Sequence, residues 1–175
     1  MKPDSRVRQL LQIVDQGYDH SSWHGTNLRG AIRRVSAVDA AWRPRPDRHN
    51  IWEIVVHAAY WKYAVRRRLV GEPRGLFPLK GSNWFPRPET RSEAAWRADI
   101  ALLDRAHETL REAIEHVRGR DLHRLRGTGK VSSNFSLIAG IAAHDLYHAG
   151  QIQLLKKLCS SRGNATKPAR VASVV

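Results

Sequence analysis

A chain of 175 residues with 42% hydrophobic content and six tryptophans can bury a real core as one domain, and a lone cysteine, Cys159, excludes an internal disulfide. No run approaches the roughly 20 apolar residues of a membrane span, and none follows the opening Met-Lys-Pro-Asp-Ser-Arg, so a soluble cytoplasmic protein without a secretory leader is expected. The net charge of +14 makes nucleic acid the first partner to consider, yet the basic residues are spread along the chain and no nucleic-acid motif appears, so specific nucleic-acid binding is not expected.

Val7, Leu10, Leu11 and Val14 recur at i, i+3, i+4 and i+7 and predict a helix over about residues 4–18. A second segment, 26–35, places Leu28, Ile32 and Val35 on one face. Residues 40–46 read as a loop because Pro44 and Pro46 forbid a helix. Asn50 with Glu53 three residues on forms a capping-box variant, and the helix it opens runs to about Val70 before Gly71. Residues 72–89 read as a long loop whose Lys80-Gly81-Ser82-Asn83-Trp84-Phe85 segment is too aromatic for a free linker and should pack on the bundle.

Thr90 and Glu93 suggest a second capping box. The stripe Trp96, Ile100, Leu103, His107, Leu110, Ile114 and Val117 then predicts a bundle helix over about residues 91–117. Residues 118–133 form a basic loop with Gly127 and Gly129 near its centre. A last helix follows, to about Leu158, and a tail from about 159 to 175 is expected to be disordered. No segment reads as a strand of any length, so the fold class is all-α, a four-helix bundle occupying residues 1–158.

The last helix carries the chemistry. Leu137, Ile141, His144, His148, Gln151, Leu155 and Leu158 step by threes and fours along one stripe, with two imidazoles and an amide where a bundle helix normally carries Leu or Ile. Residues four apart lie about 5–6 Å apart at Cβ. Two such rings can therefore reach one ion, since a metal–nitrogen bond is about 2.0–2.1 Å long. His57 supplies a third imidazole on the core-facing stripe Glu53, His57, Trp61 and Ala64. Three neutral imidazoles with an open position make a catalytic type of metal site, and Asp145 and Glu53 are candidates to orient the rings. The alternative is that His57 packs singly and the His144–His148 pair hydrogen-bonds within the bundle. His107 reads as a satisfied core histidine, His49 as an exposed residue before a cap, and His116 and His123 receive no role.

His144-Asp145-Leu146-Tyr147-His148-Ala149-Gly150-Gln151-Ile152, preceded by Ile54-Val55-Val56-His57-Ala58-Ala59, resembles the DinB/YfiT superfamily. Trp23-His24-Gly25, Ala41-Trp42-Arg43-Pro44 and the Lys80 to Phe85 segment resemble a DinB branch more softly, and the resemblance covers about residues 1–158. It implies a four-helix bundle holding a divalent metal (Zn, Ni, Fe or Mn), with one ligand from the second long helix and two from the last. Those positions here are His57, His144 and His148.

The family contains metal-dependent transferases that act with bacillithiol, mycothiol or glutathione, a thiol-dependent isomerase, and iron-binding domains of ergothioneine biosynthesis. A thiol transferase working on a low-molecular-weight thiol and an electrophile is therefore the leading expectation. A metal-dependent hydrolase and a non-catalytic metal or ligand-binding module are the alternatives. His24, Tyr147, Gln151 and Trp61 are candidates for pocket walls or proton handling, and a homodimer is left open.

Overall fold

The computed structural model describes residues 4–87, 92–126 and 132–164. Four long helices dominate it. The first, α1, spans Ser5–Tyr18 and starts where the Asp4 carboxylate accepts the Arg6 amide. Its Val7, Leu10, Leu11 and Val14 are buried, as their spacing predicts. The 26–35 segment is helical only over α2, Leu28–Ala31, capped by Asn27. A further short helix, α3, spans Ala37–Ala41. It corrects the predicted loop at its first two residues, because Ser36 supplies an N-cap before the prolines take effect.

The second long helix, α4, spans Ile51–Val70 with the Asn50/Glu53 capping box in place. It ends at Gly71, whose φ of 78° is the left-handed conformation that glycine adopts without a Cβ clash. Its first nine residues, Ile51 to Ala59, are all buried, as expected of a helix at the centre of a bundle.

The next long helix, α5, spans Glu93–Glu115. Its N-cap is Ser92, whose hydroxyl accepts the Ala95 amide, whereas Thr90 lies outside the described residues. The predicted box also fails at Glu93, because its carboxylate accepts the Ala37 amide at the start of α3.

The basic loop holds a 3-10 turn, Gly119–Asp121, and one very short antiparallel ladder. In it β1, Leu125–Arg126, pairs with β2, Ser132–Ser133. Gly127 and Gly129 lie outside the described residues. The last helix, α6, spans Asn134–Asn164, so the predicted end at Leu158 falls short. Ser160 to Asn164 continue the helix, and the rest of the expected tail, residues 165–175, lies outside the described residues. Where α1 crosses α6 the backbones nearly touch: a Cβ on Gly17 would lie 3.2 Å from the Ala142 carbonyl.

The core has two apolar ends. One gathers Leu28, Ile32, Trp52, Val56, Trp96, Leu103 and Ile152; the other gathers Val7, Leu11, Leu69, Leu110, Ile114, Ile138 and Ile141. A row of buried polar side chains draws a member from each long helix: Asp15 from α1, Lys62 from α4, His107 from α5 and Asp145 from α6. Lys62 pairs with Asp145, both side chains being fully buried, and its Nζ lies 3.3 Å from His107 Nδ1. His107 Nε2 faces the Asp15 carboxylate at 3.7 Å, and Arg111 closes the row on Asp15 from outside. The Tyr18 ring stacks on His107 at 3.8 Å. His107 is thus a buried, partnered core histidine.

Candidate metal centre

His57 comes from the second turn of α4, and His144 and His148 from successive turns of α6. The α4–α6 packing brings the three rings together, and one ligand atom of each lies within 4.8 Å of the others. His144 Nε2 is 3.1 Å from His57 Nε2 and 3.1 Å from His148 Nε2. Two nitrogens that share an ion through bonds of about 2.0–2.1 Å sit roughly 2.9–3.4 Å apart for octahedral or tetrahedral angles. His57 and His148 are buried, whereas His144 is half-buried at the open side.

Their other ring nitrogens fix the proton positions. His57 Nδ1 is 2.8 Å from the Asn83 carbonyl, which can only accept, so the proton sits on Nδ1 and Nε2 presents a lone pair. His148 Nδ1 is 2.7 Å from Gln151 Oε1, with the Gln151 amide donating to the Tyr147 hydroxyl at 3.0 Å, so His148 Nε2 is bare as well. His144 Nδ1 is buried without a partner. A proton on His144 Nε2 could satisfy only one of two lone pairs aimed at it, and would still leave that Nδ1 orphaned. Three converging imidazole nitrogens fit a cation better than they fit each other. Burial lowers all three pKa values, to about 3 at His144 and about 4 at His148, which keeps the rings in the neutral form that metal binding needs.

The two carboxylates expected to orient the rings do other work. Asp145 points into the core at Lys62, and burial pushes its carboxyl up to about 6 against the pull of that ammonium. Glu53 accepts from Arg43, His49 and the Asn50 amide. Burial tends to raise its pKa, but these donors outweigh it and hold the carboxyl below its ordinary value. Neutral oxygen acceptors, the Asn83 carbonyl and the Gln151 amide, orient His57 and His148 instead.

Of the candidate wall residues, Tyr147 is 63% exposed at the mouth, with its ring 5.0 Å from His148. Trp61 lies 6.3 Å from both His57 and His144. His24 is exposed in the loop after α1, and among the described residues no hydrogen bond or ring contact joins it to the cluster.

Sequence reasoning missed Trp84 and His49 as members of the site. Trp84 stacks between His57, at 3.8 Å, and His49, at 3.6 Å, with interplanar angles of 11° and 8°. The expected packing of the Lys80 to Phe85 segment pointed to the neighbourhood without resolving the partners. Lys62 was missed too, although its place on the stripe Val55, Ala59, Lys62, Leu69 marks a charge on an apolar face.

A four-helix bundle with three imidazoles converging between two of its helices is the class of protein defined here. The chain belongs to the DinB superfamily, whose family model matches residues 21–152. No curated protein and no solved structure matches the chain. Among the described residues, no helix is long and apolar enough to cross a membrane.

Proposed function

We propose that the chain binds one divalent metal ion through Nε2 of His57, His144 and His148, and that it transfers a low-molecular-weight thiol to a carbon electrophile. The observation that carries the metal reading is the convergence of three Nε2 atoms, two of them stripped of their protons by oxygen acceptors on the far side of the ring. A divalent ion held there supplies Lewis acidity, which favours thiolate over thiol at neutral pH. In the transfer a C–S bond forms, the bond to the leaving group breaks with its electron pair, and the thiol proton passes to the leaving group or to solvent.

The chain's own groups support this reading. Burial of His57 and His148 excludes water from the inner side, so a substrate approaches past half-buried His144. Tyr147 accepts from Gln151, which leaves its hydroxyl proton for a ligand at the mouth. Trp61 and Tyr147 offer flat apolar faces beside it, suited to an uncharged electrophile.

The test is metal analysis of protein purified without a polyhistidine tag, followed by Zn2+ and Ni2+ titration and a thiol-consumption assay. Glutathione, bacillithiol and mycothiol are each paired with an aryl halide and with an epoxide. One ion per chain and metal-dependent loss of thiol are expected. A His148→Ala variant that keeps full thiol transfer in chelator would refute the catalytic reading, and wild-type protein that binds neither ion would refute the metal reading.

A further inference from the structure

The loop after α4 reaches back over His57 in an unusual way. Asn83 has a φ of 66°, in the left-handed region that Asn tolerates far better than β-branched residues do. In that conformation one residue bonds two successive turns of α4. Its carbonyl accepts from His57 Nδ1 at 2.8 Å, and its side-chain Oδ1 accepts from Trp61 Nε1 at 3.0 Å. The next residue, Trp84, is folded back by a tight turn, its amide donating to the Ser82 carbonyl at 2.8 Å. Its indole then lies flat on His57. The opposite face of that indole carries His49, whose Nδ1 lies 3.0 Å from Glu53, and Arg43 holds Glu53 in turn. Phe85, buried against Tyr60 and Phe77, pins the loop to the bundle.

We propose that Asn83 and Trp84 are positioning residues for the three-histidine site. The Asn83 carbonyl selects the His57 tautomer with a bare Nε2, and the Trp84 indole fixes the plane of that ring. The proposal rests on the metal reading above for its consequence, but the tautomer selection stands on this loop alone.

A neutral imidazole with no partner distributes its proton between two nitrogens, and the form protonated on Nε2 cannot ligate through that atom. The carbonyl removes this loss. The stack removes another, because rotating the ring out of that plane about χ2 would carry its Nε2 away from the His144 and His148 nitrogens. His148 obtains the same service from Gln151 on its own helix, one turn away. His57 has no such neighbour on α4, since Trp61, four residues on, carries only a donor, and Glu53, four residues back, is held by Arg43 and His49. The loop is therefore the means by which α4 contributes a competent ligand, and its effect is on affinity and ring state rather than on the fold of the bundle.

The test compares wild-type protein with Asn83→Gly, Asn83→Val, Trp84→Ala and Trp84→Phe. Gly keeps the left-handed backbone and the carbonyl and loses only the Trp61 bond, whereas Val disfavours the backbone conformation itself. Two readouts are needed: 15N NMR of the His57 ring in chelator, and Zn2+ affinity by competition. Wild type should show the proton on Nδ1. Asn83→Val should show mixed tautomers and about 10- to 100-fold weaker Zn2+ binding, the usual cost of losing a partner behind a ligand. Asn83→Gly should lose less than Asn83→Val, and Trp84→Phe should recover most of what Trp84→Ala loses. All four should keep the helical circular dichroism.

Wild-type tautomer and affinity in both Asn83→Val and Trp84→Ala would overturn the proposal. If wild type binds no Zn2+, the metal reading fails by itself. The tautomer comparison in metal-free protein then still decides whether the loop sets the ring.

Discussion

Lys62 and Asp145 form an ion pair with both side chains wholly excluded from solvent, between the two apolar ends of the bundle. Asp145 follows His144 directly on α6, and Lys62 lies five residues after His57 on α4. The pair therefore joins the same two helices that carry the metal candidates, one layer deeper in the core. Taking both charges out of water is costly, so the pair is weak evidence for stability and better evidence for a fixed register between helices.

Removing one partner should expose that cost. Lys62→Met leaves the Asp145 carboxylate buried without a cation and His107 without a donor, and should destabilise the fold by about 3–5 kcal/mol. Lys62→Met combined with Asp145→Leu should recover most of the loss, since a well-packed apolar pair often equals a buried ionic one. Urea unfolding of the two variants decides it. A Lys62→Met protein as stable as wild type would mean the pair is not a fixed part of the core.

His107 should make stability depend on acid. Burial, with Lys62 and Arg111 nearby, lowers its pKa to about 2, against about 6.5 in an unfolded chain. Above pH 6.5 the ring is neutral in both states and its contribution is complete. Below that, the unfolded chain takes up a proton that the folded protein refuses, so stability falls with pH toward the folded value. Wild type should therefore lose about 1.4 kcal/mol more per pH unit than His107→Gln below pH 6. Melts at pH 8, 6 and 5 in chelator give the comparison, and parallel curves would show that His107 is not buried neutral.

A bound ion should raise the melting temperature in proportion to its differential affinity for the folded chain. At a free concentration of 100 times Kd the gain is about 2.7 kcal/mol. His57→Ala and His148→Ala should abolish that gain, with helical circular dichroism retained, because the apolar ends of the core do not depend on either ring. The readout is a melt with and without Zn2+. A metal-induced rise that survives in both variants would place the ion elsewhere.

Nucleic acid should bind weakly and without sequence preference. Some of the basic side chains are already engaged: Arg29, Arg43, Arg66, Arg87 and Arg111 are each paired with a carboxylate. What remains should give an affinity that collapses with salt, because such binding rests on counterion release. A fluorescence-anisotropy titration of duplex DNA at low and at about 150 mM salt checks it. Tight binding to one sequence at the higher concentration would show a recognition surface that the chain's charge pattern does not suggest.

The helices were legible because their information is local. The Val7, Leu10, Leu11 and Val14 face of α1, the Asn50/Glu53 box and the Gly71 stop each depend on neighbours within a few residues, and they stand where the periodicity puts them. The fourfold spacing of His144 and His148 is of the same kind.

What the sequence could not contain is which long-range partner each polar side chain would choose. Asp145 and Glu53 are within local reach of the histidines, yet α4–α6 packing turns Asp145 onto Lys62, and the loop geometry gives Glu53 to Arg43 and His49. The same packing hands His57 to a carbonyl 26 residues away on a left-handed Asn. Spacing along one helix determined that two imidazoles share a face. Only the tertiary structure, by deciding which buried charge must be neutralised by which neighbour, determined what stands behind them.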